Sequence, residues 1–164
     1  METMINHSLD TIPMDVRLRR HTYTLTVSPE ERTYMSSSEA TTKGIRVRVE
    51  AEYCPERSQP FKNAWFFLYT VEILNEGQEK VQLISRHWII TDAREHIEEV
   101  HGSGVIGKQP VLNPGQTFQY TSGCPLTTPF GSMRGTYQMV SEDGQNFDIE
   151  IAPFTLTEPY DTVH

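Results

Sequence analysis

The segment that decides the fold is Ile45-Arg46-Val47-Arg48-Val49-Glu50-Ala51-Glu52-Tyr53, in which apolar and charged residues alternate with a period of two. This alternation is typical of a β-strand that has one face in a core and the other in solvent. The dipeptide Cys54-Pro55 follows, and proline ends a strand because it has no backbone N–H to donate. We therefore expect the folded part of the chain to begin with a half-buried strand.

Six later segments also have strand character, and turn-forming residues separate them. No stretch shows a convincing apolar stripe at helical spacing. Seven short strands in one domain are the pattern of an immunoglobulin or fibronectin type III-like β-sandwich, so we predict an all-β fold. The Cys…Trp…Cys arrangement of immunoglobulin domains is missing, which favours the fibronectin-like variant. The six segments are 64–75, 81–92, 97–100, 117–122, 133–141 and 147–156.

The first 44 residues differ in composition from the rest, since they are polar and include a low-complexity run at 36–42. Such a segment cannot bury enough apolar surface to offset the entropy of ordering. We predict a largely disordered N-terminal extension over 1–44 and a domain over 45–164 with a short C-terminal tail. Translation from Met35 rather than Met1 is one open alternative. A presequence is another, although its four acidic residues argue against it.

The charge of the chain limits the classes of partner. The net charge is −8, and residues 45–164 hold nine Lys/Arg against sixteen Asp/Glu. Surfaces that bind nucleic acid or anionic lipid need clustered cations, so we expect neither partner. No apolar run approaches the ~20 residues of a membrane span, and the N-terminus lacks a signal-peptide pattern. We therefore expect a cytoplasmic protein.

The segment Gly102-Ser103-Gly104-Val105-Ile106-Gly107 matches the G-x-G-x-x-G pattern of dinucleotide-binding proteins. In those proteins a helix follows the glycines, and its N-terminus binds the pyrophosphate. Here Lys108-Gln109-Pro110 follows at once, and no βαβ unit surrounds the motif. We interpret the segment as a glycine-rich loop between sheets. Capture of an anion by its backbone N–H groups, with Lys108 nearby, remains open.

The histidines and cysteines do not form a recognisable catalytic or metal-binding pattern. His96 and His101 are five positions apart, so on one strand they point to opposite faces, and we predict no metal site there. His87, between Arg86 and Trp88, is expected to be a partly buried, hydrogen-bonded strand residue. Cys54 and Cys124 are expected to be reduced, small apolar residues. Because no acid–base pair or activated nucleophile can be named, we expect no catalytic residues, no cofactor and no enzymatic activity.

Three strings together resemble the ApaG family, namely residues 83–93, 104–115 and 120–126, and the segments 133–140 and 147–154 extend the match. The resemblance covers residues 45–157, whereas the long N-terminal extension departs from typical bacterial members. It implies a fibronectin type III-like β-sandwich without an established activity. Bacterial members are associated genetically with a diadenosine tetraphosphate hydrolase and with cobalt and magnesium transport. Eukaryotic domains of this kind occur in adaptor proteins, and the glycine motif has been suggested as a pyrophosphate site.

Two hypotheses for function follow. The leading one is a non-catalytic protein-interaction module that binds a protein partner. Its contact surface is expected at Ser85–Trp88, which includes Arg86, His87 and Trp88, with the loops Gly102–Pro114 and Gly123–Pro129. The alternative is a module that binds a nucleotide pyrophosphate or a divalent cation. Its candidate residues are Gly102, Gly104, Gly107 and Lys108.

Overall fold

The computed structural model describes residues 35–159, and within them nine strands build the domain. The predicted tail over 1–34, with its alternative start and presequence, lies outside the described residues. The strands are β1 Met35–Thr42, β2 Ile45–Tyr53, β3 Trp65–Asn75, β4 Val81–Asp92, β5 Ile97–Ser103, β6 Val111–Leu112, β7 Thr117–Leu126, β8 Phe130–Ser141 and β9 Asn146–Thr157. Two single 3₁₀ turns, Pro55–Arg57 and Pro60–Lys62, lie between β2 and β3. None of the helices within this range is long and apolar enough to cross a membrane.

The strands form two antiparallel sheets that enclose one core, so the predicted β-sandwich is confirmed. One sheet has the order β1-β2-β3-β7. The other has the order β5-β4-β8-β9, with the short β6 paired to β4. The alternation predicted for β2 is confirmed, since Ile45, Val47, Val49 and Ala51 are buried. All seven predicted strands are present.

The middle of the core is aromatic. The Trp88 ring lies edge-on to Tyr69, Tyr137 and Phe154, with centroids 5.3, 6.2 and 6.0 Å away. Edge-to-face packing brings the positive ring edge to the negative ring face and adds to the gain from burial. The hydroxyl groups of Tyr120 and Tyr137 hydrogen-bond to each other across the sandwich. Each tyrosine therefore buries its polar atom with a partner.

The predicted boundary at Ile45 is wrong, because residues 35–42 form β1 and pair with β2 along its length. The inward side chains of β1 are small, and those that carry a hydroxyl group bond to β9 of the opposite sheet. Ser36 donates to the carbonyl of Thr155, and Ser38 donates to that of Ala152 at 2.8 Å. This strand closes one side of the sandwich with hydrogen bonds rather than with apolar side chains, so the domain begins before Ile45.

Candidate functional site

The glycine segment is the turn of a tight β-hairpin. The N–H of Val105 donates to the carbonyl of Lys108 at 2.8 Å, and the N–H of Lys108 donates back at 2.9 Å. The two residues between them, Ile106 and Gly107, both have positive φ, at 43° and 73°. This geometry is that of a type I′ turn, which matches the twist of paired strands. The segment thus runs from strand to turn without the helix that a dinucleotide site needs.

Two of the three glycines are required by close neighbours. A Cβ on Gly102 would lie 2.6 Å from Cζ of Arg86, and a Cβ on Gly104 would lie 2.3 Å from the carbonyl oxygen of Lys108. The N–H of Gly104 is also engaged, since it donates to Ile84 at 2.8 Å. Three N–H groups of the loop, at residues 104, 105 and 108, therefore already have carbonyl acceptors. Anion capture here remains a prediction, with fewer donors to support it.

Arg86 and Trp88 require a correction. Both side chains point between the sheets, and Trp88 is 1% exposed while Arg86 is 9% exposed. The Arg86 guanidinium donates through Nη1 to the carbonyls of Ser103 at 3.0 Å and Gly104 at 2.8 Å. These two residues therefore do not form an exposed contact surface. Arg86 instead fixes the glycine segment from inside the sandwich, and Trp88 fills the core.

His87 points the other way, to the outer face of the sheet, and it lies directly opposite His101 on β5. Their rings stack, with centroids 3.9 Å apart and planes inclined by 16°. Glu99 adds a carboxylate oxygen 3.8 Å from Nε2 of His87. The sequence spacing that suggested His96 and His101 as a pair does not indicate the pair His87 and His101. A different signal was present, because a turn centred near residue 94 makes 87 and 101 partners in an antiparallel hairpin.

The cysteines are poorly suited to nucleophilic chemistry. Both are free thiols and both are buried. Burial raises the pKa of the Cys124 thiol to about 12, with the nearby Glu98 carboxylate adding to the effect. Burial also raises the pKa of Cys54. Since the thiolate is the reactive form, neither residue is activated at neutral pH.

The two loops of the predicted contact surface lie at opposite ends of the sandwich. The glycine segment flanks the start of β4, where Gly104 bonds to Ile84, and the loop residue Pro110 accepts from Leu83 at 3.0 Å. The connection after β7 lies at the other end of β4, where the N–H of Ala93 donates to Oγ1 of Thr128 at 3.1 Å. We call this second end the aromatic end, and it comprises the connections 54–64, 93–96 and 127–129.

Among the described residues, three of the four large apolar side chains with high exposure belong to the aromatic end or border it, and the fourth, Val111, lies at the opposite end. Phe61 is 87% exposed, and Ile97 and Phe130, at the first positions of β5 and β8, are 57% and 53% exposed. The exposure of Phe61, Ile97 and Phe130 cannot be predicted from the sequence, because single apolar residues beside turns carry no periodic signal. Exposed apolar residues of this kind can be recognised only when the three-dimensional positions of the strand ends are known. Phe61 is placed by the 3₁₀ turn Pro60–Lys62 and by Asn63, whose φ of 53° reverses the chain.

Hydrogen bonds join the parts of the aromatic end. Thr128 is buried, and its hydroxyl, which accepts from Ala93, donates to the carbonyl of Phe130 at 2.8 Å. The indole N–H of Trp65 donates to the carboxylate of Glu158, and the N–H of Glu158 donates to the carbonyl of Pro129 at 2.9 Å. The start of β3, the residue after β9 and the connection before β8 are therefore held in fixed relative positions.

Comparison with known proteins identifies a family. The model of the ApaG domain matches residues 55–141. Protein ApaG of Methylobacterium sp. (strain 4-46) is 54% identical over 121 residues, which are 74% of this chain and 93% of that protein. Protein ApaG of Bordetella pertussis is 54% identical over 115 residues, or 70% and 88% of the two chains.

A solved structure supports the same family. The crystal structure of a Bordetella pertussis protein that carries the name ApaA superimposes with a TM-score of 0.69 at 53% sequence identity. The match covers 71% of this chain and 94% of that one. The resemblance drawn from residues 83–93, 104–115 and 120–126 is thereby confirmed, and the chain belongs to the ApaG family.

Proposed function

We propose that this ApaG domain is a non-catalytic protein-interaction module and that its contact surface is the aromatic end. The observation that carries the proposal is the exposure of Phe61 on a connection that is itself well ordered by hydrogen bonds. Aromatic side chains supply large contact areas at little entropic cost, and they are enriched at the centres of protein interfaces. An exposed aromatic residue on a loop that hydrogen bonds already order is a typical anchor for a protein partner.

Hydrogen bonds order the connection that carries Phe61 both at its base and near its tip. At its base, the N–H of Cys54 donates to the carbonyl of Phe66 at 2.8 Å. The hydroxyl of Ser58 donates to the carbonyl of Cys54 at 2.8 Å and accepts from the N–H of Phe66 at 2.9 Å. Nearer the tip, the N–H of Gln59 donates to the carbonyl of Ala64 at 2.7 Å. Because the loop is already ordered, binding through Phe61 costs little further conformational entropy.

The chemistry of the described residues supports a binding role over catalysis. The pKa of each cysteine thiol is raised, and the glycine segment is a hairpin turn whose N–H groups at residues 104, 105 and 108 donate to carbonyls. Arg86 is committed to the carbonyls of residues 103 and 104. The glycine segment and Arg86 thus have structural tasks, and the two thiols are not activated.

The test is affinity capture from cell extract with the full chain, followed by quantitative mass spectrometry. The test variant is Phe61→Ser combined with Phe130→Ser. The matched control is Val111→Ser, which removes an apolar side chain that is 47% exposed at the opposite end. We expect the wild type and the control to recover the same partner and the double variant to lose it. Recovery of the same proteins by all three, with equal thermal stability, would contradict the proposal.

A further inference from the structure

Three side chains with metal-ligand chemistry meet on the outer face of the second sheet. His87 lies on β4, and Glu99 and His101 lie on the neighbouring strand β5. His87 and His101 are register partners, and Glu99 precedes His101 by two positions, so all three project from one face. Their nearest ligand atoms all lie within 4.8 Å of one another.

The nitrogen Nε2 of His87 is the unusual atom of this group. It is buried, and no hydrogen-bond partner reaches it. Its closest carboxylate oxygen, Oε1 of Glu99, is 3.8 Å away, which is too long for a hydrogen bond. Buried polar atoms are nearly always paired, and an orphaned one in a native structure requires an explanation. A ligand that approaches Nε2 from the side of Glu99 and His101 would provide that partner.

We infer that His87, Glu99 and His101 bind a divalent transition-metal ion of the Zn²⁺ type. Two imidazoles and one carboxylate are an established ligand set for Zn²⁺, with the fourth position left for water or another ligand. The same donors suit other late first-row ions, whereas Mg²⁺ and Ca²⁺ prefer sites made of oxygen atoms. This inference is independent of the proposed function, because the cluster lies on the sheet face and not at the aromatic end.

Binding requires a movement of one ring. Stacked imidazoles direct their nitrogen lone pairs along nearly parallel lines, so the two nitrogens cannot converge on one ion in this arrangement. Zn–N distances of about 2.1 Å place two tetrahedral ligand nitrogens about 3.4 Å apart. His101 is exposed and can change its rotamer quickly, whereas His87 is only 27% exposed. We therefore expect His101 to change its rotamer, so that one of its ring nitrogens and Nε2 of His87 converge on the ion.

The experiment is calorimetric titration of the full, untagged chain with ZnCl₂ and with MgCl₂, after treatment with EDTA and buffer exchange. The variants are His101→Ala and Glu99→Gln, both at exposed positions, so neither is expected to unfold the domain. The matched control is His96→Ala, which removes an exposed histidine from the turn of the same hairpin. Loss of an outer-shell partner alone typically costs about 10–100-fold in metal affinity, so removal of a ligand is expected to cost at least as much.

We expect one Zn²⁺ per wild-type chain, no heat with Mg²⁺, an unchanged affinity for His96→Ala and a weakening of about 10-fold or more for the two test variants. In the same samples, NMR of the imidazole nitrogens should show Zn²⁺-induced shifts for His87 and His101 but not for His96. Equal zinc affinity of His101→Ala and wild type would overturn the inference. The absence of 1:1 binding in the wild type would overturn it as well.

Discussion

Arg86 and Gly102 lie directly opposite each other on β4 and β5, and the arginine guanidinium occupies the space that a side chain at position 102 would need. The guanidinium cannot simply withdraw, because Nη1 donates to the carbonyls of Ser103 and Gly104. The buried guanidinium of Arg86 is therefore sufficient to require a glycine at position 102.

The substitution Gly102→Ala is expected to lower the free energy of unfolding by about 1–3 kcal/mol, the usual cost of overpacking, because the new Cβ would displace the buried guanidinium of Arg86. The control is Gly107→Asn. Residue 107 has a φ of 73° and open space around it, and asparagine tolerates this conformation. We expect the control to stay within about 0.5 kcal/mol of the wild type. Urea denaturation of both variants measures the difference, and equal losses would contradict the role of Arg86.

The strands could be predicted from the sequence wherever one face is apolar and the other polar, as in β2. In β4 this signal fails, because Leu83, Ile84, Ile89 and Ile90 are apolar on both faces. A register shift between Leu83 and Ser85 then changes which residues point inward. For this reason the sequence does not reveal that Arg86 and Trp88 are buried while His87 is not.

The strand β1 cannot be recognised from the sequence for a different reason. Its inward residues are Ser36, Ser38, Ala40 and Thr42, which carry no hydrophobic period and read as low complexity. The hydroxyl groups of Ser36, Ser38 and Thr42 make hydrogen bonds to the backbone of β9, and such bonds depend on a strand that is distant in the sequence. Composition alone therefore could not separate this strand from a disordered tail.

Replacing Ser38 tests the contribution of these hydroxyl groups. Ser38→Ala removes a 2.8 Å bond to the carbonyl of Ala152 and is expected to cost about 1 kcal/mol of unfolding free energy. Ser37→Ala is the control, because the side chain of Ser37 is exposed on the other face of the same strand. We expect a change within about 0.5 kcal/mol for the control. Chemical denaturation that finds the two variants equally stable would mean that β1 is not held by this bond.

The hydroxyl pair of Tyr120 and Tyr137 should act as a unit. Each single change to Phe removes the partner of a fully buried hydroxyl, and we expect a loss of about 1–3 kcal/mol for either one. The double variant removes both groups, so its loss should be smaller than the sum of the two single losses. A double-mutant cycle by urea denaturation measures this coupling. Strictly additive losses would show that the hydrogen bond does not couple the sheets.

The thiol of Cys124 should remain unreactive while the domain is folded. Its raised pKa should also lower the free energy of unfolding at alkaline pH. Burial raises the pKa of its thiol to about 12, above the ordinary value near 9. The unfolded chain therefore loses this proton first, so the contribution is complete below about pH 9 and disappears as the pH approaches 12. The buried tyrosines 69, 120 and 137, whose pKa values are also raised by burial, add to the same trend at higher pH.

The measurement is alkylation with iodoacetamide in a Cys54→Ser background, where Cys124 is the one remaining thiol of the chain. At pH 8 we expect little modification of the native protein and rapid modification in urea. Urea denaturation at pH 8 and at pH 10.5 should show a lower unfolding free energy at the higher pH. The drop should be smaller in Cys124→Ala, because that variant has no thiol proton to lose on unfolding. Rapid alkylation of the native protein at pH 8 would mean that this thiol is not buried as the fold requires.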